Sequence, residues 1–255
     1  GAPGTPRGPV RAHARARSAA RAQALRYRTV APGRDRNDRL RARALAPRGN
    51  RLGVALHGGG VALNCVLNGR LRERRIFERI FVQPAAGDAG TALGAALWID
   101  WSERGGVRNY CMEHAYLGPE FSAGEIEDEL RRAKQRYRRA DDVATETAAL
   151  LASERIVGWF QGRMEFGPRA LGARSILASP LHADMQQRLN DIKDREDFRP
   201  VAPAVLEEAA ADWFVDAERA PFMLFVFEVA RRNAHLIPAV RHVDGTARVQ
   251  TVGPR

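Results

Sequence analysis

Apolar residues first form regular patterns near Leu52, and from there they predict alternating strands and helices. A short apolar run over 52–56 leads into three glycines, and the segment VALNCVLNGRLRER then begins a helix. A second strand is predicted at 80–82, followed by a turn at 85–90 and an apolar helix at 91–101. Two successive units of strand, glycine loop and helix predict an α/β architecture.

The second half of the chain mixes the same two periods. Residues 116–119 are predicted to be a linker, and Ser122 with Glu125 forms the pattern of a helix-capping box. The helix that follows is predicted to carry one apolar stripe of Ile126, Leu130, Ala133 and Tyr137. The further predicted elements are a helix at 143–153, a strand at 156–160, a helix at 185–192, a strand at 222–229 and a hairpin within 241–252, centred on an Asp-Gly pair.

The positive charge of the chain is confined to its first part. The formal net charge is +11, and residues 1–50 alone contain 13 arginines, no lysine and only two acidic residues, Asp35 and Asp38. The remaining residues are therefore neutral overall. Because no general basic field steers them onto a polyanion, we expect no nucleic-acid partner.

Residues 1–51 are rich in Arg, Ala and Pro and poor in large apolar side chains. Such a segment cannot bury enough surface to offset its ordering entropy, so we predict disorder there. Three interpretations remain open: a solvated tail, a nucleic-acid-binding arm, or out-of-frame translation of GC-rich DNA. The absence of lysine favours the third.

The distribution of apolar residues and cysteines predicts a reduced cytoplasmic protein. No stretch of about 18 apolar residues occurs, so we expect no membrane span. Cys65 and Cys111 lie far apart and outside any CxxC pair, which argues against a disulfide scaffold and a cysteine-type zinc site.

The segment GRMEFGPRALGARSILASP (162–180), together with KDREDFRP (193–200), concentrates cations among turn residues. The cationic side chains are Arg163, Arg169, Arg174, Lys193, Arg195 and Arg199. Guanidinium forks match phosphate or carboxylate oxygens, and glycines let backbone N–H groups approach an anion closely. We predict an anion-binding cradle, with Glu165 orienting arginines; the alternative is an ordinary solvated charged surface.

Two further motifs in the first half suit phosphate and metal chemistry. In HGGGVALN, Gly58, Gly59 and Gly60 precede a predicted helix, which suits a phosphate at the helix N-terminus, although a tight strand-to-helix turn explains them equally. Absence of GxSxG removes a lipase-like interpretation. Asp88, between small residues, suits a metal ligand or a helix N-cap. No His-x₃-His pair completes a metal site, and we interpret the histidines as incidental.

The order of the motifs adds a resemblance to a known family. The chain contains, in sequence, GGGVALNCVLNGRL, FVQPAAGDAGTALGAAL, YLGPEFS, GRMEFGPRALGARSILASP and KDREDFRPVAPAVL. Over about residues 52–252 it closely resembles the O-carbamoyltransferases, which include nodulation-factor and antibiotic-tailoring enzymes. The resemblance implies part of an actin-like (ASKHA) nucleotide-binding domain at 52–115, followed by a YrdC-like α/β domain at 116–255.

The resemblance also implies a chemistry and a set of site residues. Carbamoyl phosphate and ATP would give a carbamoyl-adenylate, whose carbamoyl group passes to a hydroxyl of a small-molecule acceptor. The three loop glycines and Asn64 would contact the nucleotide, and Asp88 would bind a divalent metal, usually iron. The six cations named above would form the carbamoyl phosphate and nucleotide pocket, where positioning and charge stabilisation drive adenylation.

The departures from the family lead to competing expectations. Family members are longer, and their N-terminal half supplies a histidine pair for the metal; residues 1–50 do not match that half. We therefore expect a fragment, or a product with a frameshift at its front. Besides the enzyme, two alternatives stay open: a fragment that only binds carbamoyl phosphate or nucleotide, and a factor of the tRNA threonylcarbamoyl type. A homodimer is compatible with all three.

Overall fold

The structure, a computed structural model, describes residues 52–107 and 110–253. The disorder predicted for 1–51 lies outside these residues. The first described part contains strand β1 (Leu52–His57), helix α1 (Cys65–Glu73), strand β2 (Phe77–Val82) and helix α2 (Asp88–Glu103). A 3₁₀ turn at Gly60–Leu63 connects β1 to α1, so the predicted order of strand, glycine loop and helix is confirmed.

The second described part alternates helices and short strands. It begins with helices α3 (Ala123–Arg132) and α4 (Val143–Ala152), strands β3 (Val157–Phe160) and β4 (Arg174–Leu177), and helix α5 (Met185–Ile192). The remaining elements are β5 (Ala204–Leu206), a 3₁₀ turn (Glu207–Ala209), α6 (Ala210–Trp213), β6 (Val226–Glu228), a 3₁₀ turn (Pro238–Val240), β7 (Thr246–Arg248) and β8 (Gln250–Val252).

The described strands pair into four two-stranded sheets. β1 and β2 run parallel, with His57 beside Val82, and β5 and β8 are also parallel. β3 pairs with β4, and β6 with β7, in antiparallel register. The predicted α/β class is confirmed as a mixed fold with small sheets.

Local capping chemistry explains where several helices begin and end. The predicted capping box is present: the Ser122 hydroxyl accepts the Glu125 backbone N–H, and the Glu125 carboxylate accepts the Ser122 N–H at 2.8 Å. Helix α3 then ends at Arg132, because Lys134 adopts a left-handed φ of 51°. The predicted stripe is therefore too long, and Tyr137 lies beyond the helix, where its hydroxyl donates to Glu127.

Other predicted elements are also corrected by local geometry. The strand predicted at 222–229 forms only at β6, because Met223 has a φ of 53°, which interrupts an extended chain. The Asp-Gly turn is present, with the His242 N–H donating to Thr246 at 2.7 Å, but β7 pairs with β6 instead of closing a hairpin. Residues 116–119 contribute to packing: Tyr116 packs against a cluster containing Leu171.

One apolar cluster joins the two described parts. Ala62, Val82 and Ala86 from the first part pack with Leu224 from the second. The largest cluster belongs to the second part and surrounds Phe214 and Phe227. Burying these side chains provides the main stabilisation of the fold.

Helix α2 is an apolar helix without a buried residue. The prediction of an apolar helix is confirmed, but Leu97, Trp98, Ile99 and Trp101 are all more than 40% exposed. Among the described residues, no helix is long and apolar enough to cross a membrane.

Candidate anion-binding site

The loop that connects β3 to β4, residues 161–173, contains most of the predicted cradle motif. Its backbone needs glycine where it approaches the first described part. Gly167 has a φ of 132°, and a Cβ added there would lie 3.0 Å from the Pro84 carbonyl oxygen. Since side chains rarely adopt that φ and the space is filled, only glycine fits this approach.

Glu165 lies buried inside this loop and binds its backbone. Its Oε1 accepts the N–H groups of Leu171 at 2.6 Å, Ala173 at 2.9 Å and Arg174 at 3.3 Å. Burial alone would raise the pKa of Glu165, but these backbone hydrogen bonds together outweigh it and lower that pKa. The carboxylate therefore stays ionised at neutral pH and organises the loop backbone. Its bonds in the loop go to peptide N–H groups, so any effect on arginine side chains acts through the backbone.

Arg169 reaches from this loop to the glycine-rich turn. Its guanidinium donates to the Leu63 carbonyl oxygen at 2.9 Å, across 106 positions of sequence. Its Nε is buried and has no hydrogen-bond partner within the described part of the chain. A buried donor without a partner is costly, so the Arg169 Nε–H lacks the compensation that buried donors usually have.

Arg248 on β7 is a second half-buried arginine of the site, and sequence reasoning missed it. Burial, and then repulsion from Arg169 and Arg195, lowers the pKa of Arg248 to about 10. Cys65 has the opposite effect and raises this pKa by more than Arg195 lowers it. The Arg248 Nε is likewise buried without a partner among the described residues. Three cations thus converge where no described carboxylate neutralises Arg248.

Arg195 is the only other member of the predicted set that joins this cluster. Its Nε donates to the Asn190 side-chain oxygen at 2.5 Å, and that amide is itself held by the backbone carbonyls of Asp197 and Arg199. Burial, followed by repulsion from Arg199, lowers the pKa of Arg195. We define the anion cluster as Arg169, Arg195 and Arg248.

A cavity of about 650 Å³ lies beside the same loop. It is lined by Arg163 and Arg219, with Leu171 and Gln250 in its wall. Gln250 donates to the Leu171 carbonyl at 2.9 Å, so this wall is continuous with the loop and with β8. Carboxylates also face the cavity, from Glu113, Glu120 and Glu207. Its charges suit a ligand with both acidic and hydrogen-bond-donating groups.

The remaining predicted cations have other positions. The Arg174 guanidinium donates to the Gln161, Gly162 and Ala173 carbonyls and lies 3.4 Å from the centre of the Phe160 ring. It therefore stabilises the ends of the loop. Arg199 forms an exposed ion pair with Glu196 at 2.6 Å, and Lys193 is exposed at the end of α5.

The glycine-rich turn has open space beside its three glycines. A Cβ added at Gly58, Gly59 or Gly60 would meet nothing within 4 Å. Asn64, predicted to contact the nucleotide, caps α1: its side-chain oxygen accepts the Leu67 N–H at 3.1 Å. Sequence reasoning also missed the fully buried Asn68, which donates to the Ala62 and Leu224 carbonyls and contacts His57.

Asp88 is exposed and is the first residue of α2. The N-cap position is occupied by Gly87. Within the described residues, no three His, Cys, Asp or Glu side chains come together in a metal-binding arrangement. The described chain alone therefore does not fit the metal that the resemblance implies, and we derive no chemical step through a metal.

Two protein-family models match regions of this chain. The model for the carbamoyltransferase C-terminus matches residues 148–255, and the model for the carbamoyltransferase N-terminus matches residues 45–97. The chain belongs to the carbamoyltransferase family. The anion cluster of this carbamoyltransferase chain lies where the two matched regions meet, since Arg169 comes from one and Leu63 from the other.

Similar curated proteins, one of them named as a carbamoyltransferase, support this assignment. The chain is 45% identical to nodulation protein NolO of Bradyrhizobium diazoefficiens, over 76% of this chain and 37% of that protein. It is 37% identical to the 3'-hydroxymethylcephem-O-carbamoyltransferase of Amycolatopsis lactamdurans, over 83% and 38%. It is 45% identical to protein sll1178 of Synechocystis, over 77% and 37%. The chain spans about a third of the length of these curated relatives.

Proposed function

We propose that this chain binds carbamoyl phosphate and ATP for O-carbamoyl transfer, in the C-terminal part of a longer carbamoyltransferase. The observation that carries the proposal is the anion cluster: three half-buried arginines, two of which have a buried Nε–H with no partner among the described residues. Like charges are not held together in a folded interior unless a ligand or partner compensates them. Carbamoyl phosphate and the phosphates of ATP are polyanions that guanidinium groups bind well.

The proposed chemistry needs charge stabilisation more than acid–base catalysis. Carbamoyl phosphate would be hydrolysed to carbamate and inorganic phosphate, and a carbamate oxygen would then attack the α-phosphate of ATP to give carbamoyl-adenylate and pyrophosphate. The anion cluster would stabilise the charge on the phosphoryl oxygens. The adjoining cavity, through Arg163 and Arg219, would hold the rest of the ligand. An acceptor hydroxyl then attacks the carbamoyl carbon, and AMP leaves.

The acceptor and the fold names belong to the same proposal. The relative from Amycolatopsis is named for carbamoylation of a hydroxymethyl group on a cephem, which favours a small-molecule hydroxyl acceptor. The parallel β1–β2 pair followed by the glycine-rich turn is compatible with part of an actin-like nucleotide domain, and residues 116–255 with a YrdC-like domain. A chain that binds but does not turn over is favoured by α2, which has no buried residue and exposes several large apolar side chains.

Thermal unfolding with and without ligand tests binding. At a concentration of 100 times its Kd, carbamoyl phosphate should add about 2.7 kcal/mol to the free energy of unfolding. Arg169→Ala should lose this gain, whereas Arg132→Ala, which removes an exposed arginine on α3, should keep it. Equal stabilisation of both variants would contradict the assigned site. Formation of pyrophosphate from ATP separates the enzyme from the binding-only chain.

A further inference from the structure

Glu165 has no assigned role in binding or transfer, although it is the single carboxylate of the site loop and is buried there. Its residue is 7% exposed, and a single oxygen accepts three backbone N–H groups. Its hydrogen bonds go to peptide groups, which hold the chain path and not one side chain. We therefore consider which side chains this stretch of backbone carries.

Hydrogen bonds fix the loop backbone at two peptide groups, those of Phe166 and Leu171. At one end, the Phe166 N–H donates to the Ala115 carbonyl at 2.6 Å. At the other end, the peptide of Leu171 is fully used: its N–H donates to Glu165, and its carbonyl accepts the Tyr116 hydroxyl at 2.7 Å and the Gln250 amide at 2.9 Å. Only four residues lie between these two ends, and Arg169 is one of them.

Arg169 gains from this restraint because it lies close to another cation. Repulsion by Arg169 contributes to the lowered pKa of Arg248, and the Nε atoms of both side chains are buried. A loop free to move would relieve the repulsion by turning Arg169 toward solvent. One hydrogen bond, from Arg169 to Leu63, offsets this only in part.

We propose that Glu165 is a positioning residue for the anion cluster, holding the loop so that Arg169 stays opposite Arg248 when no ligand is bound. This inference rests on the proposed function, because it assumes that the cluster binds an anion. A different possibility is that the three N–H groups are themselves an anion site, which Glu165 occupies. Burial argues against it, since a ligand from solvent cannot reach these groups.

Binding of inorganic phosphate and carbamoyl phosphate by the full chain, measured calorimetrically well below the unfolding temperature, tests the proposal. We expect Glu165→Ala to raise Kd by about tenfold or more, which corresponds to a loss of about 1.4 kcal/mol in binding free energy. Glu165→Gln keeps a carbonyl oxygen for the same N–H groups and should restore Kd to within about threefold of wild type, since neutral hydrogen bonds are weaker but similarly directed. Glu129→Ala, on exposed α3, is the matched control and should bind as wild type.

Amide hydrogen exchange on the same proteins separates loop geometry from binding. We expect the amides of Leu171 and Ala173 to exchange faster in Glu165→Ala, with the Phe214 core unchanged. A variant with an opened loop and an unchanged Kd would overturn the positioning role alone, because a purely structural residue behaves so. Tighter phosphate binding by Glu165→Ala would overturn it in favour of the N–H site. If wild type binds neither ligand, the proposed function fails, and the positioning role fails with it.

Discussion

Replacing Arg248 should stabilise the ligand-free protein while removing its affinity for anions. Arg248 is charged and buried beside two other cations, and its pKa is lowered from 12.5 to about 10. Each pKa unit corresponds to about 1.4 kcal/mol, so folding works against this charge by about 3 kcal/mol. Arg248→Met keeps an unbranched chain and removes the charge. We expect a gain of about 1–3 kcal/mol, the lower values reflecting lost contacts.

Chemical denaturation of the ligand-free proteins measures this gain, and the same samples report phosphate binding. For a chain of this size, about 1 kcal/mol corresponds to about 2–4 °C in Tm. Arg132→Met, at an exposed position on α3, should change neither quantity. A less stable Arg248→Met protein would refute the reasoning, because it would show that the guanidinium is compensated within the chain.

The pH dependence supplies an independent check of the sign. A cation whose pKa is lower in the folded state opposes folding fully below that pKa, and the opposition fades as the pH rises toward the unfolded value. The advantage of Arg248→Met should therefore be constant at neutral pH and shrink above about pH 10. An advantage that grew with pH would contradict the assigned electrostatic cause.

Two other buried groups give predictions of the opposite kind, in which removal or protonation destabilises. Asn68→Leu leaves the Ala62 and Leu224 carbonyls without their Asn68 donor. It should lower the free energy of unfolding, measured in urea, by about 2–4 kcal/mol, whereas the same substitution of an exposed Asn should cause no loss. Burial lowers the pKa of His242, against a smaller opposite effect of Asp244, so the free energy of unfolding should fall as pH drops below about 6.5. His242→Gln should flatten that dependence; a curve unchanged by the substitution would exclude His242 as its source.

The parts of the fold that follow from local chemistry were predictable from sequence. The capping box at Ser122 needs two residues three positions apart, and the turn before α1 needs glycines between a strand and a helix. The end of α3 was missed because Lys134 gives no signal that it will adopt a left-handed φ. The partner of β7 was missed because an Asp-Gly turn predicts a hairpin, whereas the pairing with β6 depends on distant packing.

The candidate site was predictable in residue type but not in arrangement. A motif rich in arginine predicts anion binding. In the structure, however, the Arg174 guanidinium donates to carbonyl oxygens of its own loop, and Arg199 forms an ion pair with Glu196. Arg248 lies 79 positions from Arg169, within a strand between the buried Ala247 and Val249. The local sequence shows only an arginine between two apolar residues, and it does not indicate which cations that arginine approaches.

Two contacts of the site loop and one buried side-chain hydrogen bond connect the two family-matched regions. Arg169 donates to Leu63, Gly167 packs on Pro84, and Asn68 bonds Leu224. An anion bound at the cluster therefore touches groups whose positions depend on both regions. Binding energy at such a junction stabilises their relative placement as well as the ligand, because a ligand stabilises whatever arrangement it requires. It follows that Arg169→Ala should weaken the association of the two regions even without ligand, whereas loss of Arg163, which lines only the cavity, should not.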